Sequence, residues 1–256
     1  MPPSVPWSRV LRGPMSLLLS ALLGACAAPP AWQALDTPAA RVTAESVVSL
    51  QANGVSVGAA VAIEGRRFVT NAHVLRQAAG GLELRRTDGG EVVAARVLAI
   101  SPRMDLAVLE VDEDFATPAP LAARLPAPYE PVWAVGPQGL GRALAAGRVT
   151  SPQVEMRGFG PGFTAGVGAV KGFSGGPVVD AEGRVLGLTT ALPAPGLVPA
   201  LVWLTGLDLA GYVQGDARQI FALGIGAVVA EVRRLTGGEF SGSVPHLLAA
   251  SLPTTD

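Results

Sequence analysis

Ser174 lies in the run Gly172, Phe173, Ser174, Gly175, Gly176, Pro177, with the apolar pair Val178 and Val179 directly after it. A serine in such a turn is suited to attack on a carbonyl. Backbone must approach the reacting group without side-chain obstruction, and two inward-turned amide N–H groups must hold the oxyanion that forms. Gly172 and Gly175 supply that freedom. The hydroxyl also needs a base that is neutral near working pH, and the chain has two histidines, His73 and His246. His73 closes the run Val69, Thr70, Asn71, Ala72, His73, at the end of an apolar strand that can aim a side chain into a cleft. His246 stands beside Pro245 in a polar tail and reads as a surface residue.

Asp105 opens the apolar run Leu106 to Val111. A carboxylate there is expensive to bury without a partner. In a triad the partner is the imidazole N–H, which the carboxylate orients while stabilising the cation formed on proton transfer. The alternative is a turn aspartate that caps Ser101 to Arg103 or pairs with Arg103. Lys171, three residues before Ser174, offers a second base in a Ser/Lys dyad.

Short β-branched and apolar runs separated by turn signals must carry these residues. They fall at Val47 to Gln51, Val57 to Ile63, Arg67 to Thr70, Gly81 to Arg85, Glu91 to Ile100 and Leu106 to Val111. Pro118, Pro120, Pro126, Pro128 and Pro131 crowd a linker in which continuous strand or helix is disfavoured. A second set follows at Val132 to Val135, Leu144 to Thr150, Val167 to Val170, Pro177 to Val179 and Arg184 to Thr190. Helical periodicity is confined to Ala227 to Leu235, where Val228, Val229, Val232 and Leu235 share a side. The chain is therefore expected to be all-β in two halves with a short C-terminal helix, and its motifs show no internal repeat.

The 256 residues are 49% hydrophobic and carry a formal charge of −1, enough for a real core and without the basic stripe of a nucleic-acid binder. No nucleic acid is expected as a partner. At the N-terminus Arg9 and Arg12 precede the apolar run Met15 to Leu23, which is too short for a membrane anchor and reads as an export signal. It ends in Leu23, Gly24, Ala25, Cys26, similar to the bacterial lipobox, in which cysteine is diacylated and becomes the first mature residue. Cys26 is the single cysteine of the chain, and lipidation accounts for it. Cleavage before Cys26 leaves 17 basic residues against 20 acidic ones, a formal charge of −3. Ordinary signal cleavage after Ala27 is the rival outcome and would leave a soluble protein. Ala27 after the cysteine favours the outer membrane, facing the periplasm.

The order His73, Asp105, Ser174, with Thr70 to Val74, Asp105 to Val111, Gly136 and Pro137, Gly147 to Ser151 and Gly172 to Gly187, resembles trypsin-like serine proteases of the high-temperature-requirement (HtrA/Deg) branch. The resemblance implies two six-stranded antiparallel β-barrels, with His73 and Asp105 from the first and Ser174 from the second meeting between them. It implies that Ser174 is the nucleophile, His73 the base and Asp105 its orienting group, with the Gly172 and Ser174 amides as oxyanion hole. It implies protein or peptide substrates, no cofactor and no metal, and trimers are common in the family. Phe173 departs from the pattern, which has asparagine there. Where related pockets keep their selecting residue stand Gly168, Ala169 and Val170, so an apolar first pocket and cleavage after small or medium aliphatic residues are expected.

The resulting organisation is a signal peptide over 1–25, an Ala/Pro-rich tether over 26–42, a protease domain over 43–240 and a tail over 241–256. Within the domain one barrel covers about 43–117 and the other about 130–237. About twenty residues follow the terminal helix, too few for the PDZ domain many relatives carry. Residues 191–222, with Trp203 and Tyr212, form a long connection expected either to fold locally or to act as a lid. A lipid-anchored serine endopeptidase is the leading functional expectation. The alternatives are a catalytically silent protease-like scaffold or chaperone at the membrane surface, and an esterase using the same triad.

Overall fold

The computed structural model describes residues 37–76, 78, 80–86, 90–138, 141–167, 172–190 and 218–238. Twelve strands and three helices occupy them. Helix α1 (Pro38–Ser46) leads into β1 (Val47–Ala52), β2 (Val55–Ala62), β3 (Arg67–Thr70), the one-turn helix α2 (Ala72–Leu75), β4 (Leu82–Arg86), β5 (Val92–Ile100) and β6 (Ala107–Glu110). These six strands close into an antiparallel barrel in the order β1-β2-β3-β6-β5-β4. After the proline-rich linker come β7 (Pro131–Gln138), β8 (Gly141–Met156), β9 (Gly160–Val167), β10 (Pro177–Val179), β11 (Val185–Thr190), β12 (Arg218–Gly224) and helix α3 (Ile225–Leu235). The second barrel closes as β7-β8-β9-β12-β11-β10, the order of the first barrel repeated. The two halves thus share a topology that their motifs do not reveal.

Period-two alternation builds the cores. Val48 and Leu50 of β1, Ala60 and Ala62 of β2, Phe68, Leu84 and Leu109 point into the first barrel. Their neighbours Val47, Ala59, Val61, Val69 and Val108 face the other way and join Val132, Ala134, Val178, Leu188 and Phe221 in one cluster that runs into the second barrel. An apolar face on both sides of these strands is what the continuous hydrophobic runs of the sequence encode. The linker is stitched to both halves: Ala119 N–H donates to Ala62 O over 2.9 Å, and Ala122 N–H to Val185 O over 2.9 Å.

The structure differs from the sequence expectations at four elements. Helix α1 begins inside the stretch read as tether, and Ala39 and Val42 are buried, so the last residues of 26–42 pack as part of the fold. Strand β9 starts at Gly160, earlier than the expected Val167, because Gly160, Pro161, Gly162 and Gly166 disguise an alternation in which Phe163, Ala165 and Val167 are buried. Strand β12 is absent from the strands the sequence predicts, yet it bridges β9 and β11 and so closes the barrel. Helix α3 begins two residues before the expected Ala227 and buries Ile225, Val228, Val229 and Val232.

Candidate active site

His73 sits in the single turn of α2, directly beyond the end of β3. Val74, fully buried, anchors that turn in the first barrel, and its N–H donates to Asn71 O over 3.2 Å. The ring of His73 stays partly accessible, with its side chain 21% exposed.

Asp105 arrives from the turn that joins β5 to β6. Ser101 N–H donates to Leu106 O over 2.9 Å and Asp105 N–H to Phe159 O over 3.0 Å, so the turn is tied to its own barrel and to the β8–β9 hairpin. Both carboxylate oxygens engage His73: Oδ1 accepts from the His73 backbone N–H over 2.9 Å, and Oδ2 lies 2.6 Å from Nδ1. A carboxylate accepts at both oxygens, so this pairing puts the imidazole proton on Nδ1 and leaves the Nε2 lone pair for other work. The carboxylate that was alternatively read as a partner of Arg103 is thus committed to His73.

Asn71, buried two residues before His73, connects the halves. Its Nδ2 donates to Asp105 O over 3.1 Å and to Thr190 Oγ1 over 3.0 Å at the end of β11. In the sequence Asn71 shows only as part of the run around His73. A short amide between an apolar strand and a candidate base was the available signal. Thr190, Ser101 and Glu231, discussed below, gave none.

Ser174 belongs to a turn pressed against both barrels. Its carbonyl accepts from Ala59 N–H of β2 over 2.9 Å, and Gly175 N–H donates to Thr189 O over 2.9 Å. At Gly175 φ is +83°, and a Cβ there would stand 2.2 Å from Ala59 O and 2.3 Å from Thr70 Oγ1, so only glycine allows the turn to seat on β2 and β3. Phe173 is buried and pins the turn from the other side. A Cβ on Gly136 of β7 would meet Phe173 Cα and Cγ at 2.8 Å. The residue that departs from the family pattern is therefore an apolar anchor for the turn. Gly172 also has positive φ, +101°. Among the described residues neither the Gly172 nor the Ser174 amide donates to a backbone carbonyl, and Ser174 Oγ forms no hydrogen bond to the His73 ring. Such contacts are often long in the absence of substrate and tighten when it binds.

The structure brings His73 and Asp105 together and seats the Ser174 turn on the strands that lead to His73. Gly168, Ala169, Val170, Lys171, Cys26 and His246 lie outside the described residues, as does most of the 191–222 connection. Among the described residues no cluster of three His, Cys, Asp or Glu side chains could hold a metal ion, and no helix is long and apolar enough to cross a membrane.

Known proteins resemble this chain in sequence and in fold. A probable periplasmic serine endoprotease, DegP-like, of Bartonella henselae is 34% identical over 141 residues, half of this chain and 26% of that protein. The chain thus spans about a quarter of that relative's length. Among solved structures, the active form of the Rv3671c protease of M. tuberculosis superposes with a TM-score of 0.62 at 20% identity, covering 96% of this chain and 97% of that one. An inactive form of the same protease gives 0.61 at 21% identity, over 83% and 97%. The HtrA-type protease AlgW with decapeptide gives 0.62 at 18% identity, over 78% and 67%. At these identities the structural likeness is one of fold. Residues 52–188 match the model of the trypsin-like peptidase domain, and the chain belongs to that family.

Proposed function

We propose that this chain is a serine endopeptidase of the bacterial cell envelope that hydrolyses peptide bonds through Ser174, His73 and Asp105. The observation that carries the reading is the bidentate grip of Asp105 on His73, through the backbone N–H and Nδ1 together, which fixes both the tautomer and the orientation of the ring. In the first half-reaction Ser174 Oγ bonds to the scissile carbonyl carbon while its proton passes to His73 Nε2. The tetrahedral oxyanion is held by the Gly172 and Ser174 amides. Collapse breaks the C–N bond, and the imidazolium returns the proton to the leaving amine. Water, deprotonated by His73, then adds to the acyl carbon; collapse breaks the bond to Ser174 Oγ, which takes the proton back from His73 Nε2 as the carboxylic acid product leaves. Asp105 keeps the ring in register and stabilises its cation throughout.

Gly168, Ala169 and Val170 are proposed to line an apolar first pocket, favouring cleavage after small or medium aliphatic residues. Cys26 is proposed to be lipidated after removal of residues 1–25, anchoring the domain to the membrane on its periplasmic side. The periplasmic relative from Bartonella henselae supports an envelope setting.

Fluorophosphonate labelling of the purified protein tests the chemistry, with casein and simple esters assayed in parallel. Labelling and casein cleavage that both vanish in Ser174→Ala support the endopeptidase. A folded protein that never labels supports the silent scaffold, and ester turnover without casein cleavage supports the esterase. Palmitate labelling lost in Cys26→Ala tests the anchor.

A further inference from the structure

Helix α3 carries a carboxylate where its buried face should be apolar. Glu231 is 4% exposed, between Val228 and Val232 on the side that packs toward the barrels. A buried charge of this kind is retained only with partners that satisfy it. Arg234, one turn on, supplies two hydrogen bonds, from Nε to Oε2 over 2.8 Å and from a terminal nitrogen to Oε1 over 2.7 Å. The remaining contact reaches out of the helix and far along the chain: Ser101 Oγ lies 2.5 Å from Glu231 Oε1.

Ser101 is the first residue after β5, in the turn that delivers Asp105. Its hydroxyl oxygen accepts from Arg103 N–H over 3.0 Å and from Met104 N–H over 3.2 Å. A serine hydroxyl has two lone pairs and one proton. With both lone pairs spent on the turn, the proton has one direction left, toward Glu231. The chain of bonds therefore has a fixed polarity: Arg234 donates to Glu231, Ser101 donates to Glu231, and Arg103 and Met104 donate to Ser101. Glu231 must be ionised to close it. The Arg234 hydrogen bond, outweighing burial and joined by Ser101, holds its carboxyl down to about 2.

We infer that Glu231 is a positioning residue for the candidate active site, acting through Ser101 to fix the turn from which Asp105 reaches His73. The side chain belongs to the helix that follows the second barrel, and the turn it orients belongs to the first. The conformation of 101–104 thus depends on an element more than a hundred residues away in sequence. Without Glu231 the Ser101 hydroxyl is free to rotate, its lone pairs no longer face Arg103 and Met104, and the turn loses one of the constraints on the approach of Asp105. The inference rests on the reading of His73 and Asp105 as catalytic partners, but the hydrogen bond between them can be observed without turnover.

The test is proton NMR of histidine-labelled protein in the Ser174→Ala background, following the His73 Nδ1 proton, together with kcat and KM in the chain with serine intact. Glu231→Ala is expected to weaken or abolish the downfield Nδ1–H signal and to lower kcat per fluorophosphonate-titrated site by about tenfold, with KM within about twofold. Glu231→Gln, which keeps an acceptor for Ser101, should lose less. Ser101→Ala should match Glu231→Ala, Ser101→Thr should preserve the signal, and the double variant Ser101→Ala with Glu231→Ala should be no worse than Ser101→Ala alone. A signal and a kcat per titrated site unchanged in Glu231→Ala, with only a lower melting temperature, overturn the inference, as do additive effects of the two substitutions. Should Glu231→Ala fail to fold, Ser101→Ala and Ser101→Thr decide the same point. Full activity in Ser174→Ala would instead overturn the peptidase reading while leaving the NMR comparison intact.

Discussion

Asn71 Nδ2 and Thr190 Oγ1 are joined by a 3.0 Å hydrogen bond that ties the strand end before His73 to the last residue of β11. The same nitrogen donates to the backbone carbonyl of Asp105. One buried amide thus holds the candidate base, its carboxylate and the second barrel in register. Among the described residues its Oδ1 has no hydrogen-bond partner. Asn71→Ala removes both donated bonds at a site without water access and should cost about 2–4 kcal/mol in urea unfolding. Asn71→Asp puts a second carboxylate beside the Asp105 carbonyl and gives up the donor, so it should be worse than alanine both in stability and in turnover. Equal stability of wild type and Asn71→Ala would show that this bridge carries little.

Gly136→Ala addresses the anchor of the Ser174 turn. The added methyl meets Phe173 Cα, a backbone atom that cannot swing aside. Overpacking of this kind costs roughly 1–3 kcal/mol, and the strain falls on the turn rather than on the body of β7. The rate of fluorophosphonate labelling should therefore drop well beyond what the change in melting temperature implies. Labelling at the wild-type rate would show that Phe173 does not set the turn.

Asp105→Asn tests the tautomer argument. An asparagine can direct an N–H at Nδ1, which forces the imidazole proton to Nε2 and removes the base. Turnover should fall by about 10⁴, the scale seen when the carboxylate of such a triad is replaced in this way. The measurement is kcat per titrated site, and a loss below tenfold would contradict the assigned role of Asp105.

Stability toward acid follows from the carboxylates held below their ordinary range. Glu231 has an ordinary value near 4.5 and is lowered to about 2 in the fold. Glu130 is lowered in the same direction, first by its hydrogen bonds from Arg124. The contribution of Glu231 is fully present above about 4.5 and is lost as pH falls from there through about 2, and that of Glu130 is lost in the same direction, because the unfolded chain binds those protons more readily. The melting temperature should fall steeply across that window, and Glu231→Gln should flatten part of the slope. A slope in Glu231→Gln identical to wild type would show that this carboxyl is not linked to folding.

Much of the first barrel was legible in the sequence, because its strands are β-branched runs bounded by turn residues, as at Val57 to Ile63 and Leu106 to Val111. His73 and Asp105 stood out since each is a polar residue at the end of such a run. Strand β9 was obscured by glycine and proline whose backbone role looks like a turn, and β12 by its isolation behind a long connection. Helix α1 was hidden because alanine and proline read alike in a tether and in a first helical turn, where Pro38 is well tolerated. The partners of the site were the least legible. That Asn71 faces Thr190, or that Glu231 faces Ser101, depends on how the two barrels dock, and no local pattern encodes a contact across so much chain.

As nucleophile of a Ser/His/Asp site, Ser174 should be indispensable to turnover. The most direct test is the turnover of a peptide substrate by Ser174→Ala, measured against wild type titrated with fluorophosphonate. A fall of about 10⁶ in kcat is expected, with labelling abolished and the fold retained. A residual loss of only about tenfold, or labelling that persists without the serine, would contradict it.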